Sequence, residues 1–311
     1  MRNLIVYGLI MTALLLSACQ PAANQPATSG IHVLAVESYL GDIAQNVAGD
    51  RIKIETLMPL GVDPHSFEPA PQDVAKISQS SVLIINGAGF EEWLKETLSN
   101  AGGERTVINA SQGLTSRTAR EGEAVMHAEE GEHHQEGDPH FWLNPQNTVR
   151  YVENIRDGLI QADPEGREVY TQNATAYITE LNNLDAWIEQ QLQVLPQEKR
   201  QIVTNHESFG YYADRYGFQI IGTVIPSVSS ESAPSAQQLA LLIDTIRATG
   251  TRVIFLETGE NPQLAEQIAD ETGVEVVSDL YTHSLSSLDG PAPSYLEMMR
   301  YNTRTIVEAL K

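Results

Sequence analysis

The sequence is poor in cysteine and in basic residues. Cys19 is the single cysteine, so the rest of the chain can form neither an internal disulfide nor a cluster of thiolate metal ligands. The 311 residues contain 19 lysines and arginines against 41 aspartates and glutamates, a formal net charge of -22. Because nucleic-acid binding requires basic surfaces that neutralise phosphates, this charge argues against nucleic acid as a partner. An acidic surface suits a solvated extracytoplasmic protein, or one that attracts cations.

Long apolar runs are also scarce, and the one that stands out lies at the N-terminus. The segment MRNLIVYGLIMTALLLSACQ has a basic second residue, an apolar core and then small residues before Cys19. An apolar core this short predicts an export signal rather than a membrane-spanning helix. The letters LSAC resemble the lipobox of bacterial lipoproteins, whose cysteine is lipidated. We therefore predict a signal peptide at 1–18 and a polar tether at 19–30, with lipid on Cys19 holding the protein outside the cell membrane, in a periplasmic space or at the cell surface.

From residue 31 onward, short apolar runs rich in β-branched residues alternate with amphipathic stretches. The first half predicts strands at HVLAVES, IKIETLMP and SVLIINGAG, and the second half repeats the pattern with QIVTNHES, FQIIGTVIP and TRVIFLETG. This alternation predicts an α/β fold of two lobes, each with a parallel sheet flanked by helices. We place the N-terminal lobe at 31–165 and the C-terminal lobe at 197–311, both within the usual size of a domain.

One long helix is predicted between the two halves, within a linker at 166–196. No glycine or proline interrupts residues 168–195. Apolar residues recur there at steps of three and four: Tyr177, Leu181, Leu184, Ile188, Leu192 and Leu195. At 1.5 Å per residue the helix would be on the order of 40 Å long. Such a rigid helix across two lobes would limit their relative motion. Ordinary core packing could also produce the apolar face of this helix.

Three histidines and one aspartate fall in loops or strand ends of the kind that line a crevice between lobes. His65 and His140 each end an Asp-Pro-His turn, in which the proline restricts the backbone. His206 and Asp279 end predicted strands of the second half. Ligand sites of parallel sheets form at the carboxyl ends of strands. Three neutral imidazoles and a carboxylate suit a tetrahedral Zn²⁺ site, which we predict between the lobes.

Other residues compete for a place near this site. Glu257, at the end of VIFLE, is the rival for the carboxylate position, although we expect it to support the ligands from behind. Asp63 and Asp138 are expected to cap nearby N–H groups or to orient an imidazole. His32 opens the first strand and His283 follows the last one, and we expect both to be structural or exposed.

Several motifs together resemble the landmarks of one family, in order along the chain. They are DPHSFEP, DPHFWLNP, TNHESFGYYADRYG, VSDLY and SYLEMMRYN. The chain resembles the metal-binding receptors of bacterial ABC importers for zinc and manganese, the long-helix class of substrate-binding proteins, over essentially the whole mature chain. Carried over position by position, the resemblance implies His65, His140, His206 and Asp279 as the metal ligands. It also implies an ABC permease and its ATPase as partners. We expect a monomer that is not an enzyme.

A loop predicted at 121–137 carries His127, His133 and His134 among many glutamates. Its low hydrophobicity and lack of periodicity predict a mobile segment. Loops of this composition resemble those of zinc receptors, so these histidines are candidates for an auxiliary metal site. A solvated insertion without a role is the alternative.

The choice of metal and of function class follows from the ligands. Three imidazoles favour zinc over manganese, which prefers oxygen, so a Zn²⁺ receptor is expected, with a manganese or iron receptor as the alternative. A zinc hydrolase would keep one position open for water and would need a base, for which Glu207 beside His206 is the candidate. Four protein ligands favour binding without chemistry, and no catalytic residues are expected. A metal-dependent surface adhesin is a third possibility.

Overall fold

A computed structural model describes residues 30–117 and 137–311, which form two α/β lobes. The predicted fold class is confirmed, because each lobe holds a parallel four-stranded sheet flanked by helices. Within these two ranges, no helix is both long enough and apolar enough to cross a membrane. Cys19, the signal peptide and His127, His133 and His134 lie outside the described residues.

The first sheet has the strand order β2-β1-β3-β4. Its strands are β1 (Val33–Ala35), β2 (Ile54–Thr56), β3 (Val82–Ile85) and β4 (Thr106–Asn109). All neighbours are parallel: Val33 of β1 pairs with Ile54 on one side and with Val82 on the other. The two central strands are the most apolar and the most buried, as expected for a sheet that is covered by helices on both faces.

The second sheet repeats this arrangement with the order β6-β5-β7-β8. Its strands are β5 (Gln201–Thr204), β6 (Gln219–Thr223), β7 (Val253–Glu257) and β8 (Glu275–Leu280). Val203 of β5 pairs in parallel with Gly222 and with Ile254. In both sheets the first strand of the lobe therefore lies between the second and the third, and the loops that follow the strands gather at one edge.

Helices connect and cover the strands. In the N-terminal half they are α1 (Ser38–Ala48), α2 (Pro71–Gln79), α3 (Leu94–Ala101) and α4 (Pro145–Ala162), with a 3-10 turn at Phe141–Leu143. In the C-terminal half they are α6 (Gly210–Tyr216), α7 (Ala236–Thr249), α8 (Gln263–Thr272) and α9 (Tyr295–Leu310). The long helix between the halves is α5 (Arg167–Leu192).

Helix α5 has 26 residues and is therefore about 39 Å long. Its buried face matches the predicted periodicity, and the helix packs on α1 and α4 of the first half and on α9 of the second. One cluster of buried side chains runs continuously from Val33 through Leu181 to Tyr212 and Met298. The 3-10 turns Pro164–Gly166 and Gln197–Lys199 flank the linker, while the lobe boundaries themselves stay predictions.

A buried carboxylate fastens α5 to the C-terminal lobe. Asp185 accepts two hydrogen bonds from the Arg215 guanidinium, at 3.0 and 2.5 Å, and one from the Tyr216 hydroxyl at 2.8 Å. Gln146 of α4 donates a further bond at 3.1 Å. Asp185 is 6% exposed, so these partners replace the water that the carboxylate lost on folding. The network ties α4, α5 and α6 into one unit.

Removal of this carboxylate should loosen the fold. We expect Asp185→Ala to lower the free energy of unfolding by about 1–3 kcal/mol, because the buried Tyr216 hydroxyl and the Arg215 guanidinium, whose side chain is 33% exposed, lose their shared acceptor. The matched control is Asp157→Ala, whose carboxylate is 64% exposed and pairs with Arg156 on the surface of α4. That change should cost less than about 1 kcal/mol. Denaturant unfolding of both variants checks this, and equal losses would contradict the role given to Asp185.

Candidate metal centre

Four histidines converge where the two lobes meet. His65, His140, His206 and His283 each offer one ring nitrogen, and these four atoms all lie within 4.8 Å of one another. The Nε2 atom of His140 is 3.4 Å from Nε2 of His65 and 3.4 Å from Nε2 of His206. Two of the histidines belong to the first half of the chain and two to the second. The group therefore depends on both lobes.

The strand ends position these side chains. His65 lies in the loop after β2, and His206 and His283 follow β5 and β8 by two and three residues. His140 lies directly before the 3-10 turn that leads into α4. The carboxyl ends of parallel strands thus supply three of the four groups, as is usual for ligand sites in open α/β sheets.

The two Asp-Pro-His turns hold their histidines in the same way. The backbone N–H of His65 donates to Asp63 Oδ1 at 3.0 Å, and that of His140 donates to Asp138 Oδ1 at 2.9 Å. An aspartate that accepts from the residue two positions later closes a compact turn, and the intervening proline stiffens it. The repeated motif is thus a repeated device that presents one imidazole from a rigid loop.

The structure does not bring Asp279 to this group, which corrects the expected ligand set. Asp279 is exposed near the end of β8, has a positive φ of 87°, and its neighbour Leu280 takes the buried position. Four residues beyond Asp279 the chain reaches the group of histidines, and the side chain that joins it is His283. His283 is 7% exposed and belongs to the converging group, so the expectation that it is exposed is wrong. Its place just beyond a strand end, like that of His206, was the available signal.

Burial keeps most of these imidazoles neutral. Loss of water, with the nearby His283 and His206, lowers the pKa of His65 to about 2. Burial also lowers the pKa of His140 far below its usual range, and it lowers the pKa of His283 despite the attraction of Glu257. For His206, burial is the largest single effect and acts to lower the pKa, but the charge and hydrogen bond of Glu257, with the charges of Glu260 and Asp63, together outweigh it and the pKa is raised. Neutral imidazole is the form that binds a metal ion.

Carboxylates stand behind the histidines, on the side away from the centre of the group. Nδ1 of His140 is 2.9 Å from Asp138 Oδ1, and Nδ1 of His206 is 2.9 Å from Glu257 Oε1. Nδ1 of His283 is 3.6 Å from Asp63 Oδ1 and 3.7 Å from Glu257 Oε2. A carboxylate next to Nδ1 favours the tautomer that leaves Nε2 free as a ligand, an arrangement common around bound metals.

Glu257 supports the C-terminal pair from one buried position. The Ser208 hydroxyl donates to its Oε1 at 2.9 Å, and the Thr282 hydroxyl donates to its Oε2. Burial alone would raise its pKa, but the neighbouring His206 and His283 and its hydrogen bonds outweigh that effect and lower the pKa to about 2. Glu257 is therefore an ionised carboxylate behind two imidazoles, the supporting position expected for it rather than a place among the four converging groups.

The surroundings of the four histidines suit a bound cation better than an unoccupied polar site. Within residues 30–117 and 137–311, Nε2 of His283 is buried and has no hydrogen-bond partner, which costs free energy unless a ligand satisfies it. The rings of Phe90 and Trp142 lie 5.0 Å from His65 and 5.2 Å from His140, respectively, and keep water away. His32 lies apart on the surface, with Nε2 3.1 Å from Glu55, as expected.

The sequence and the fold both match known metal receptors. Residues 33–309 match the family described as "ZnuA: Zinc-uptake complex component A periplasmic". The chain is 30% identical to the manganese-binding lipoprotein MntA of Halalkalibacterium halodurans, over 98% of this chain and 97% of that protein. It is 31% identical to the manganese ABC transporter substrate-binding lipoprotein PsaA of Streptococcus anginosus, over 97% and 96% of the two chains.

Solved structures give the same picture. The Mn-bound periplasmic metal binding protein from Candidatus Liberibacter asiaticus is 30% identical, with a TM-score of 0.77 over 90% of this chain and 100% of that one. The periplasmic zinc binding protein TroA from Treponema pallidum is 26% identical, with a TM-score of 0.79 over 91% and 99%. The chain therefore belongs to the ZnuA family, the metal-binding substrate receptors of ABC transporters.

Proposed function

We propose that this chain is an extracytoplasmic zinc receptor that binds Zn²⁺ through His65, His140, His206 and His283 and delivers it to an ABC permease. The observation that carries the proposal is the group of four converging ring nitrogens, from three buried histidines and the half-buried His65. Two ligands held 2.0–2.1 Å from one zinc ion in a tetrahedron lie roughly 3.3–3.4 Å apart. The two 3.4 Å distances between the Nε2 atoms agree with this spacing.

The identity of the metal is argued from the donor atoms. All four converging groups are imidazoles, and imidazole suits zinc, whereas manganese prefers carboxylate and carbonyl oxygen. Manganese is the second candidate, because several similar proteins are named for manganese, and others, such as MtsA of Streptococcus pyogenes, are named for iron. Replacement of the expected aspartate by His283 moves the balance of donors further towards zinc.

The same donor set supports binding without chemistry. A catalytic zinc ion needs an open position for water beside three protein ligands. Four converging nitrogens leave no such position, so Glu207 has no bound water to activate.

We propose further that Cys19 carries the lipid anchor, that the receptor is a monomer, and that a permease with its ATPase takes the ion. His127, His133 and His134 stay candidates for an auxiliary site.

The fourth ligand can be tested directly by calorimetry on the mature, tag-free protein. We expect His283→Ala to weaken zinc binding by more than about 100-fold, because even residues that only support ligands are worth 10–100-fold. Asp279→Ala is the matched control from the same segment, and it should bind zinc like the wild type. Equal losses in the two variants, or a loss in Asp279→Ala alone, would contradict the assignment of His283.

The preference for zinc should depend on the donor atom at position 283. We expect His283→Asp to raise the affinity for manganese relative to zinc by about tenfold or more, because a carboxylate oxygen replaces a ring nitrogen. Parallel titrations with both ions give the ratio, and Asp279→Asn serves as the control for added or lost surface charge. An unchanged ratio would mean that donor type at this position does not decide the metal.

Protons should compete with zinc mainly at one histidine, His206. The raised pKa of His206 means that this imidazole holds a proton to a higher pH than the others, and zinc must displace it. Affinity should therefore be constant above that pKa and fall as pH decreases through it, with release of about one proton per ion. Calorimetry in buffers of different ionisation enthalpy measures this number. Glu257→Gln should move the fall to lower pH, and release of three protons near pH 6 would contradict the scheme.

A further inference from the structure

The loop that carries the first Asp-Pro-His turn contacts the opposite lobe at several points. The backbone N–H of Gly61 donates to the Ser284 hydroxyl at 2.8 Å. The carbonyl oxygen of Gly61 approaches Gly259 so closely that a Cβ atom there would lie 3.1 Å from it. On its own side the loop is fixed, because Trp93 Nε1 donates to Pro64 O at 3.2 Å. A rigid part of the N-terminal lobe thus touches the loops after β7 and β8.

Asp63 makes the most specific of these contacts. Its Oδ2 accepts a hydrogen bond from the hydroxyl of Ser230, which lies in the loop after β6. Its Oδ1 lies 3.6 Å from Nδ1 of His283. The Ser230 loop is itself held over the His206 segment, since the N–H of Glu207 donates to Ser227 O at 2.9 Å. One carboxylate of the N-terminal lobe therefore meets two separate loops of the C-terminal lobe.

The two Asp-Pro-His turns differ in what the aspartate does with its side chain. In the second turn, Asp138 supports the ring of its own histidine, with Oδ1 2.9 Å from Nδ1 of His140. In the first turn, Asp63 accepts from the backbone of its own His65 but faces the ring of His283 across the cleft. Capping of the turn accounts only for the contact of Asp63 with the backbone N–H of His65. The contacts with Ser230 and His283 need another explanation.

We propose that Asp63 is an interlobe clasp and a positioning residue for His283, so that closing the lobes and orienting the fourth imidazole are one event. This inference rests on the proposed function, because it concerns how the same site retains its ion. With the lobes together, the Asp63 carboxylate accepts from Ser230 and favours the His283 tautomer whose Nε2 faces the other three rings. With the lobes apart, both contacts are lost and Asp63 keeps only its own turn. The clasp should therefore act on the release of the ion more than on its capture.

The most direct test removes the Ser230 hydroxyl, which contacts Asp63 across the cleft, and leaves every carboxylate in place. We expect Ser230→Ala to speed dissociation of zinc about tenfold, as for loss of one hydrogen bond to a charged group, while the association rate changes less than about twofold. Stopped-flow displacement by a chelator measures the first rate on the mature protein. Ser230→Thr keeps the hydroxyl and should behave like the wild type.

The matched control is Ser66→Ala. The Ser66 hydroxyl lies 3.5 Å from the same Asp63 Oδ2 but belongs to the same loop, so its loss cannot separate the lobes. It should leave both rates unchanged. On an Asp63→Ala background, Ser230→Ala should have no further effect, because its partner is already gone. Equal rates in Ser230→Ala and Ser66→Ala, or an effect of Ser230→Ala that persists without Asp63, would overturn the clasp.

A second readout separates failure of the clasp from failure of the proposed function. If the wild type does not hold zinc tightly, the zinc receptor is refuted, and hydrogen exchange of the metal-free protein decides the clasp. The Gly61 amide, which bonds across the cleft, should then exchange faster in Ser230→Ala than in Ser66→Ala. Tight zinc binding with unchanged dissociation in Ser230→Ala would refute the clasp alone.

Discussion

The packing of four imidazoles, three buried and one half-buried, with their ring nitrogens directed at one another is the constraint on which the rest of this structure depends. Polar ring nitrogens gathered away from water have few partners in the fold itself, and Nε2 of His283 has no hydrogen-bond partner among the described residues. A cation resolves this conflict, and only when both lobes are in place. The rigid turns, the carboxylates behind the rings and the common core of the lobes all serve to keep this unfavourable arrangement intact.

The carboxylates have a consistent place in this scheme. Asp138, Glu257 and Asp63 each face an Nδ1 atom, and ionised Glu257 places negative charge near the site without an oxygen among the four converging groups. Burial raises the pKa of Asp138 to about 8, so that carboxyl group carries little of this charge at neutral pH. This separation matters for selectivity, because the charge attracts any divalent cation, whereas the nitrogen donors favour the borderline ones. Affinity and selectivity therefore depend on different residues, and a change behind the rings need not change which ion is preferred.

The fold and three of the four histidines could be predicted from the sequence because both depend on local signals. Alternating apolar runs predict strands, and Asp-Pro-His predicts a stiff turn wherever it stands. The choice between Asp279 and His283 depends on non-local structure. A strand-end aspartate and a histidine four residues later are equally plausible ligands until the path of the chain after β8 is known. The left-handed backbone at Asp279, φ 87°, turns the chain there and is not encoded by a glycine. The Asp63 contacts with Ser230 and His283 join residues 167 and 220 positions apart, beyond the reach of any local pattern.

The repeated strand order brings the loops of the two lobes together at the cleft. Because both sheets place their first strand between the second and the third, the loops after β2 and after β5 and β8 meet at the cleft without any long excursion of the chain. The continuous core through α5 and the Asp185 network resist large rotations of one lobe against the other. We therefore expect the lobes to separate only slightly. With so small a separation, the contacts that must break are the few at the rim of the cleft, such as the hydrogen bond from Ser230 to Asp63, and our proposal makes these contacts the control on release.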